Sequence, residues 1–219
     1  MNIAVFGARG RMGMKVVEIA ESRRHSVWQI DKDWQSNPLE NVDVVIDFAT
    51  VSATKDVCEF CKTKKAPLVS GVTGRGESEL HLIDDLSQSV PVVCKANFSQ
   101  GVNVLFEIVE MISKKLYDWD CDIVEIHHRN KQDSPSGTAK RLASVIAKNQ
   151  SFKKVTVHAL RAGSNNGCHS VIFASNGESL TLTHQAENRD IFARGAVIEA
   201  ERLATAVGEL RSSAKSIDN

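Results

Sequence analysis

The stretch Asn2-Ile3-Ala4-Val5-Phe6-Gly7-Ala8-Arg9-Gly10-Arg11-Met12-Gly13 sets an apolar strand pattern against a turn with three glycines. The run behind it, Met14–Ser22, carries Val16, Val17, Ile19 and Ala20 at helical spacing. Glycines at a strand-to-helix turn let the backbone approach a pyrophosphate, and the first helical amides then point at the anion. The spacing is G-x-x-G-x-x-G, with Arg9 where the standard fingerprint has its middle glycine. A second strand pattern, Ser26–Ile30, leads to Asp31, 18 residues past Gly13. An acid about 20 residues on is where an adenosine ribose is gripped. Gly7, Arg9, Gly10, Arg11, Met12, Gly13, Asp31 and Lys32 are therefore candidate cofactor residues. Asp31 favours NADH, whereas Lys32, Arg9 and Arg11 would welcome the 2′-phosphate of NADPH, so both cofactors stand.

Outward from this turn, strand and helix alternate. Val42–Phe48 is an almost wholly apolar strand pattern, as in a strand covered on both faces. A helix over Ser52–Lys64, with Ser52 as its cap, precedes a strand at Pro67–Ser70. A helix over Glu77–Ser87 and a strand at Val90–Val93 follow. This alternation implies a parallel sheet. After Asn97-Phe98-Ser99 the order changes. A helix over Val102–Leu116, a strand over Asp122–His127 and a helix over Ser136–Lys148 lead to three strands with no helix between them. These are Lys153–Leu160, Cys168–Ala174 and Glu178–Ala186, joined at Gly163 to Gly167 and Asn176-Gly177. Such a run argues for an antiparallel or mixed sheet. A helix near Ala193–Val207 and a polar tail, Ser212–Asn219, end the chain. The expectation is an α/β protein of two domains. Residues 1–98, completed by a C-terminal helix within 190–219, bind the dinucleotide, and 99–189 form a smaller α+β domain.

Composition narrows the partners. Among 219 residues, Lys plus Arg and Asp plus Glu number 27 each, so no global field favours nucleic acid or an anionic membrane. No stretch approaches the ~20 apolar residues of a membrane span. The first residues enter a strand pattern without a basic leader, from which a cytoplasmic location is expected. Five cysteines are too scattered for a disulfide scaffold. Cys58 and Cys61 form a C-x-x-C inside a helix-like run, where buried thiols are a better reading than a redox or metal pair.

The densest chemistry lies in Glu125-Ile126-His127-His128-Arg129-Asn130-Lys131-Gln132-Asp133-Ser134-Pro135-Ser136-Gly137-Thr138-Ala139. Imidazole suits proton donation near neutral pH, and a loop lysine makes a point-charge clamp for a carboxylate. Ser136-Gly137-Thr138 supplies hydroxyls and amides at a helix start. Together they describe a site for a small anion that is protonated at carbon. Adjacent strand residues face opposite ways, so His127 and His128 make a poor metal pair, and no metal is expected.

This segment, with Gly7–Gly13, Val45-Ile46-Asp47-Phe48, Gly71-Val72-Thr73-Gly74 and Ala96-Asn97-Phe98-Ser99, resembles the motifs of dihydrodipicolinate reductases in order and over nearly the whole chain. The resemblance implies a Rossmann domain for NADH or NADPH and a smaller domain for substrate binding and homotetramer formation. It implies that His127 is the acid and that Lys131 clamps the substrate. His128, Ser136, Gly137, Thr138 and Thr73 would contact substrate. Gly71, Thr73, Ala96, Asn97, Phe98, Arg189 and Phe192 would join the cofactor pocket. The substrate implied is a cyclic hydroxylated tetrahydrodipicolinate of the diaminopimelate and lysine pathway. It would lose water, take hydride at C4 and be protonated by His127 on the neighbouring carbon. The chain departs from the family in lacking a Gly-rich hairpin before Arg161-Ala162-Gly163 and in carrying Asn130 where many members have histidine. On residues alone, two other readings stay open. One is a Rossmann dehydrogenase of an amino-acid-like substrate such as aspartate or homoserine. The other is a non-catalytic nucleotide-sensing module.

Overall fold

The computed structural model describes residues 1–148 and 155–217 and falls into two compact units, 1–98 with 192–219, and 99–191. The first unit holds a six-stranded sheet. Its elements are β1 (Asn2–Phe6), α1 (Arg11–Ser22), β2 (Ser26–Asp31), β3 (Trp34–Ser36), β4 (Val44–Asp47), α2 (Thr54–Lys64), β5 (Leu68–Ser70), α3 (Glu77–Ser87) and β6 (Val92–Cys94). Most of α6 (Asp190–Ile217) belongs to it as well. The strand order is β3-β2-β1-β4-β5-β6. All pairings are parallel except β2 with β3.

The apolar strand runs are explained by cover on both faces. Ile3, Val5, Val44, Ile46 and Val69 pack with Val16, Val17 and Ala20 of α1 and with Ala193, Ala196, Val197 and Ala200 of α6. Ala4, Phe6, Val45 and Leu68 pack the other way, against Val57, Cys58 and Cys61 of α2 and Ile83 and Leu86 of α3. Cys58 and Cys61 are thus core thiols, and burial raises both their pKa values. The chain reverses its direction of sheet growth between β1 and β4, and the carboxyl ends of strands at such a switch form a crevice.

The second unit contains α4 (Gln100–Lys115), β7 (Asp120–His127), α5 (Gly137–Lys148), β8 (Val155–Arg161), β9 (Cys168–Ser175) and β10 (Glu178–Gln185). Its sheet order is β10-β9-β7-β8. β7 pairs with β8 in parallel, and the other ladders are antiparallel, so the sheet is mixed. The two helices cover one face. Val102, Leu105, Phe106 and Val109 of α4 and Ala139, Leu142 and Ile146 of α5 enclose Cys121, Ile123, Val171 and Phe173.

Several local expectations shift. α1 starts at Arg11 rather than Met14, because Gly10, not a polar side chain, is its N-cap. Ser52 does not cap α2: it lies in a 3-10 turn, Val51–Ala53, and its hydroxyl pairs with that of Thr50. β3 is an addition that sequence periodicity does not announce. Lys153 and Lys154, expected to begin a strand, lie outside the described residues, and β8 runs on to Arg161. The last helix extends through most of the expected polar tail to Ile217; Asp218 and Asn219 lie outside the described residues.

Candidate functional site

In the first unit the chemistry gathers at the carboxyl ends of β1, β2 and β4. Gly7 takes φ +72°, and Gly13 sits where a Cβ would fall 1.9 Å from the Gly7 carbonyl oxygen. Only hydrogen at residue 13 lets α1 start this close to β1. Gly10 offers no side chain to cap the first-turn amides of Arg11, Met12 and Gly13, which leaves them for an anion. Asp31 ends β2 and accepts hydrogen bonds from the Arg9 and Lys32 amides at 2.9 Å each, which fixes its carboxylate beside the turn. The Arg9 guanidinium stands over the Trp34 ring at 5.4 Å.

A cavity of about 910 Å³ lies here, and Gly7, Arg9, Gly10, Asp31 and Lys32 all line it. Phe48, Ala49, Thr50, Ser52, Ala53 and Asp56 line it too and were not anticipated as site residues. Phe48 carries the one available signal, as the residue directly after the apolar β4. Its size and its place at the glycine turn suit a dinucleotide.

Gly71 and Thr73 lie on the loop after β5. A Cβ at Gly71 would meet the Phe48 ring at 2.2 Å, so glycine is what lets that loop lie against Phe48. The loop is tied down by Arg75, whose guanidinium reaches Asp47 Oδ2 at 2.9 Å and Ser70 Oγ at 2.7 Å. Asp47 is 1% exposed, and burial raises its pKa against the pull of the Ala49 amide, Ser70 and Arg75. Ala96 and Asn97 follow β6. Phe98 is buried against α6, where a Cβ on Gly195 would fall 1.8 Å from its carbonyl oxygen. Arg189 is in the second unit, and Phe192 opens the first unit's share of α6.

In the second unit the site forms at the end of β7. Residues of one strand parity share a face, so Glu125 and His127 project together, with His169 opposite Glu125 on β9. His127 is 8% exposed and Glu125 is 0% exposed. Glu125 Oε2 accepts from His127 Nδ1 and from Arg161 Nη1 at 2.9 Å. Its Oε1 accepts from Arg161 Nη2 at 2.7 Å and from the Ser136 amide at 3.1 Å. Burial raises the Glu125 pKa, but the Arg161 fork, His127 and Ser136 outweigh it, and the carboxyl lies below its ordinary range. His127 is lowered, first by burial and then by the charges of Lys131 and Arg161, against the opposing pull of Glu125.

Ser136 binds His169 Nε2 through its hydroxyl at 3.1 Å, and that hydroxyl accepts from the Ala139 amide at the start of α5. Gly137 and Thr138 form the first turn of α5. Lys131 sits on the loop and pairs with Asp133 at 2.7 Å. His128 lies just beyond the strand end, outside the Glu125 network. The structure therefore brings His127 and Ser136 into one network and adds Glu125, Arg161 and His169, none of which was a sequence candidate. Ligating atoms of Glu125, His127 and His169 lie within 4.8 Å of one another. Both oxygens of Glu125 are already occupied by donors, one of them a guanidinium, so the cluster works as a hydrogen-bond network rather than a cation cage.

The profile for the C-terminus of dihydrodipicolinate reductase matches residues 101–214, and the profile for its N-terminus matches residues 25–98. A 4-hydroxy-tetrahydrodipicolinate reductase of Thermosipho africanus is 37% identical over 202 residues, covering 92% of this chain and 90% of its own. One from Archaeoglobus fulgidus is 36% identical, covering 93% and 94%. Among solved structures, a dipicolinate-bound dihydrodipicolinate reductase from Paenisporosarcina sp. TG-14 shares the fold at a TM-score of 0.76 and 20% identity, covering 94% of this chain and 95% of its own. An aspartate semialdehyde dehydrogenase from Vibrio cholerae shares it more distantly, at 0.53 and 10% identity, covering 95% of this chain and 98% of its own.

Proposed function

This chain belongs to the dihydrodipicolinate reductase family, and on that premise we propose that it reduces 4-hydroxy-tetrahydrodipicolinate to tetrahydrodipicolinate in diaminopimelate and lysine biosynthesis. The observation that carries the site assignment is His127 at the end of β7. It is tethered through Nδ1 and flanked by the Lys131 loop and the start of α5.

A reduced nicotinamide dinucleotide supplies the hydride when bound. The first-turn amides of α1 would hold its pyrophosphate, Asp31 its ribose hydroxyls, and Gly71, Thr73, Ala96, Asn97 and Phe98 the ring end. Lys131 leaves Asp133 to clamp a substrate carboxylate, aided by the Ser136, Gly137 and Thr138 turn, with His128 alongside. Once the 4-hydroxyl has left as water, His127 protonates the carbon next to the one that receives hydride. Orientation by these groups is the larger contribution, about 7–11 kcal/mol of barrier, against ~10²–10⁴-fold for the positioned acid.

The finer cofactor preference is for NADH: Asp31 lines the cavity beside the glycine turn, where an adenosine ribose would sit, and would repel a 2′-phosphate. Asp31→Ser should raise NADPH use relative to NADH by about tenfold, or ~1.4 kcal/mol; an unchanged ratio would remove Asp31 from selectivity. A homotetramer built on the uncovered face of the second sheet, where Leu160 is 44% exposed, and a cytoplasmic setting complete the reading. Among the described residues no helix is long and apolar enough to cross a membrane.

His127→Gln tests the proposal. kcat should fall about 10²–10⁴-fold with KM little changed. Lys131→Ala should raise KM and lower kcat together. An unaltered kcat in His127→Gln would overturn the assignment.

A further inference from the structure

Glu125 is an acidic residue with no exposed surface, two positions before the proposed acid on the same strand face. A buried carboxylate forfeits its hydration, and an apolar pair of the same size would serve stability as well or better. Stability alone therefore does not account for this carboxylate, and the geometry supplies another role. A carboxylate can only accept, so the nitrogen facing it, His127 Nδ1, must carry a proton. That leaves Nε2 as the nitrogen that exchanges protons. Gly167 lies beside it, with φ +130°, and a Cβ there would come within 3.0 Å of Nε2. The absent side chain keeps the exchanging nitrogen open. Arg161 completes the arrangement by gripping both Glu125 oxygens, and its Nη2 also reaches the Asp133 carbonyl at 2.6 Å.

We propose that Glu125 and Arg161 act as a positioning pair for His127: Glu125 fixes the imidazole tautomer and orientation, and Arg161 shares the carboxylate so that His127 can release its proton. The inference rests on the reductase reading above. Glu125 alone would hold an imidazolium as a tight ion pair, a poor donor. With half of the carboxylate's valence spent on the guanidinium, the imidazolium is less trapped, which brings the donor toward the operating pH.

The proton count closes. The 4-hydroxyl first leaves with a neighbouring C–H proton as water, and the hydride that a reduced dinucleotide would supply then forms a C–H bond at the ring carbon that bore the hydroxyl. The electron pair displaced onto the neighbouring carbon takes the Nε2 proton. Neutral imidazole remains with its Nδ1–H on Glu125, and solvent restores the proton. Glu125 stays ionised throughout. The groups that set this balance are Glu125 on the same strand, Lys131 and Asp133 on the loop, Arg161 on β8 and His169 on β9, its ring 5.1 Å from that of His127. His184 lies across from His169 on β10.

The test compares Glu125→Gln, Arg161→Met, the double variant and His127→Gln in the full-length protein. kcat, KM and pH profiles are measured, with NADH binding and circular dichroism as folding controls. Glu125→Gln should lower kcat about 100-fold with KM within about threefold. The alkaline limb of its kcat profile should move to lower pH, because an anion that favours the imidazolium has gone. Arg161→Met should move that limb to higher pH, because a repelling cation has gone. The double variant removes both members of the ion pair and leaves no unpaired buried charge, so it should fold and bind NADH while kcat stays low. Nitrogen NMR of His127 should show Nδ1 protonated in the neutral wild-type ring. Full activity in the folded double variant, limbs that do not move in opposite directions, or an unprotonated Nδ1 would each overturn the pairing. A large loss in His127→Gln beside an unaffected Glu125→Gln would sink the pairing alone, whereas full activity in His127→Gln would sink the reductase reading beneath it.

Discussion

Substituting Gly13 by alanine should break cofactor binding while leaving the second unit intact. The new Cβ would lie 1.9 Å from the Gly7 oxygen, 2.7 Å from the Gly7 carbonyl carbon and 2.8 Å from Ala8 Cα, all backbone atoms that no rotamer change can move. Reaching ordinary contact, near 3.4 Å, demands a retreat of α1 by about 1.5 Å. Overpacking of this sort costs about 1–3 kcal/mol, and for a chain of this size the melting temperature of the first unit should drop by roughly 2–12 °C. The same displacement carries the first-turn amides away from the position proposed for the pyrophosphate. Loss of one or two hydrogen bonds to a charged group, at about 1.5–3 kcal/mol each, weakens NADH by at least about tenfold. Fluorescence titration of NADH and thermal melts read both effects. Gly10→Ala is the matched control. Its φ of −73° suits any residue, and its Cβ would meet only the Gly7 oxygen, at 3.1 Å, so its melting temperature should stay within about 3 °C of wild type. Equal damage from the two substitutions, or normal NADH affinity in Gly13→Ala, would refute the close-approach argument.

Two further predictions concern buried charge. Arg75→Met strands Asp47 in the core and should cost the first unit about 3–5 kcal/mol in urea unfolding, with most of that recovered by adding Asp47→Asn; an additive double variant would contradict the pairing. His169 is 4% exposed, and burial first, then the nearby His127, pulls its pKa from 6.5 to about 4. The folded state binds this proton less tightly than the unfolded chain. Its stability is therefore complete above pH 6.5 and is lost as pH falls toward 4, by up to about 3 kcal/mol. His169→Gln should flatten the urea-measured loss between pH 7 and 4.5 relative to wild type, and an equal slope in both would show that this histidine is not what the acid limb reports.

What the sequence discloses and what it hides follow from how each feature is encoded. The α/β class was legible because strands covered on both faces, such as Val44–Asp47, must be continuously apolar. Trp34–Ser36 escaped because three residues on an edge carry no periodicity, and they are recognisable only by pairing with Gln29–Asp31. Apolar spacing points to Met14 as the start of α1, whereas the helix begins at Arg11, where glycine permits close approach. Ser52 looked like a cap, but its hydroxyl turns to Thr50. Ser212–Ile217 read as a polar tail, yet it contains no helix breaker and continues α6. His127, Lys131 and Ser136 stood out as chemistry packed into one segment. Glu125 shares the face of His127 by simple alternation, but its partners Arg161 and His169 come from other strands. Their meeting depends on register, which one sequence does not reveal.

The most direct measurement is a single-turnover and steady-state record of NADH oxidation by the purified chain, with freshly generated 4-hydroxy-tetrahydrodipicolinate as the second substrate. The account predicts one dinucleotide oxidised per substrate consumed, at a kcat in the ordinary enzymatic range of ~1–10³ s⁻¹. NADH that binds well but is never oxidised when this substrate is added would contradict it.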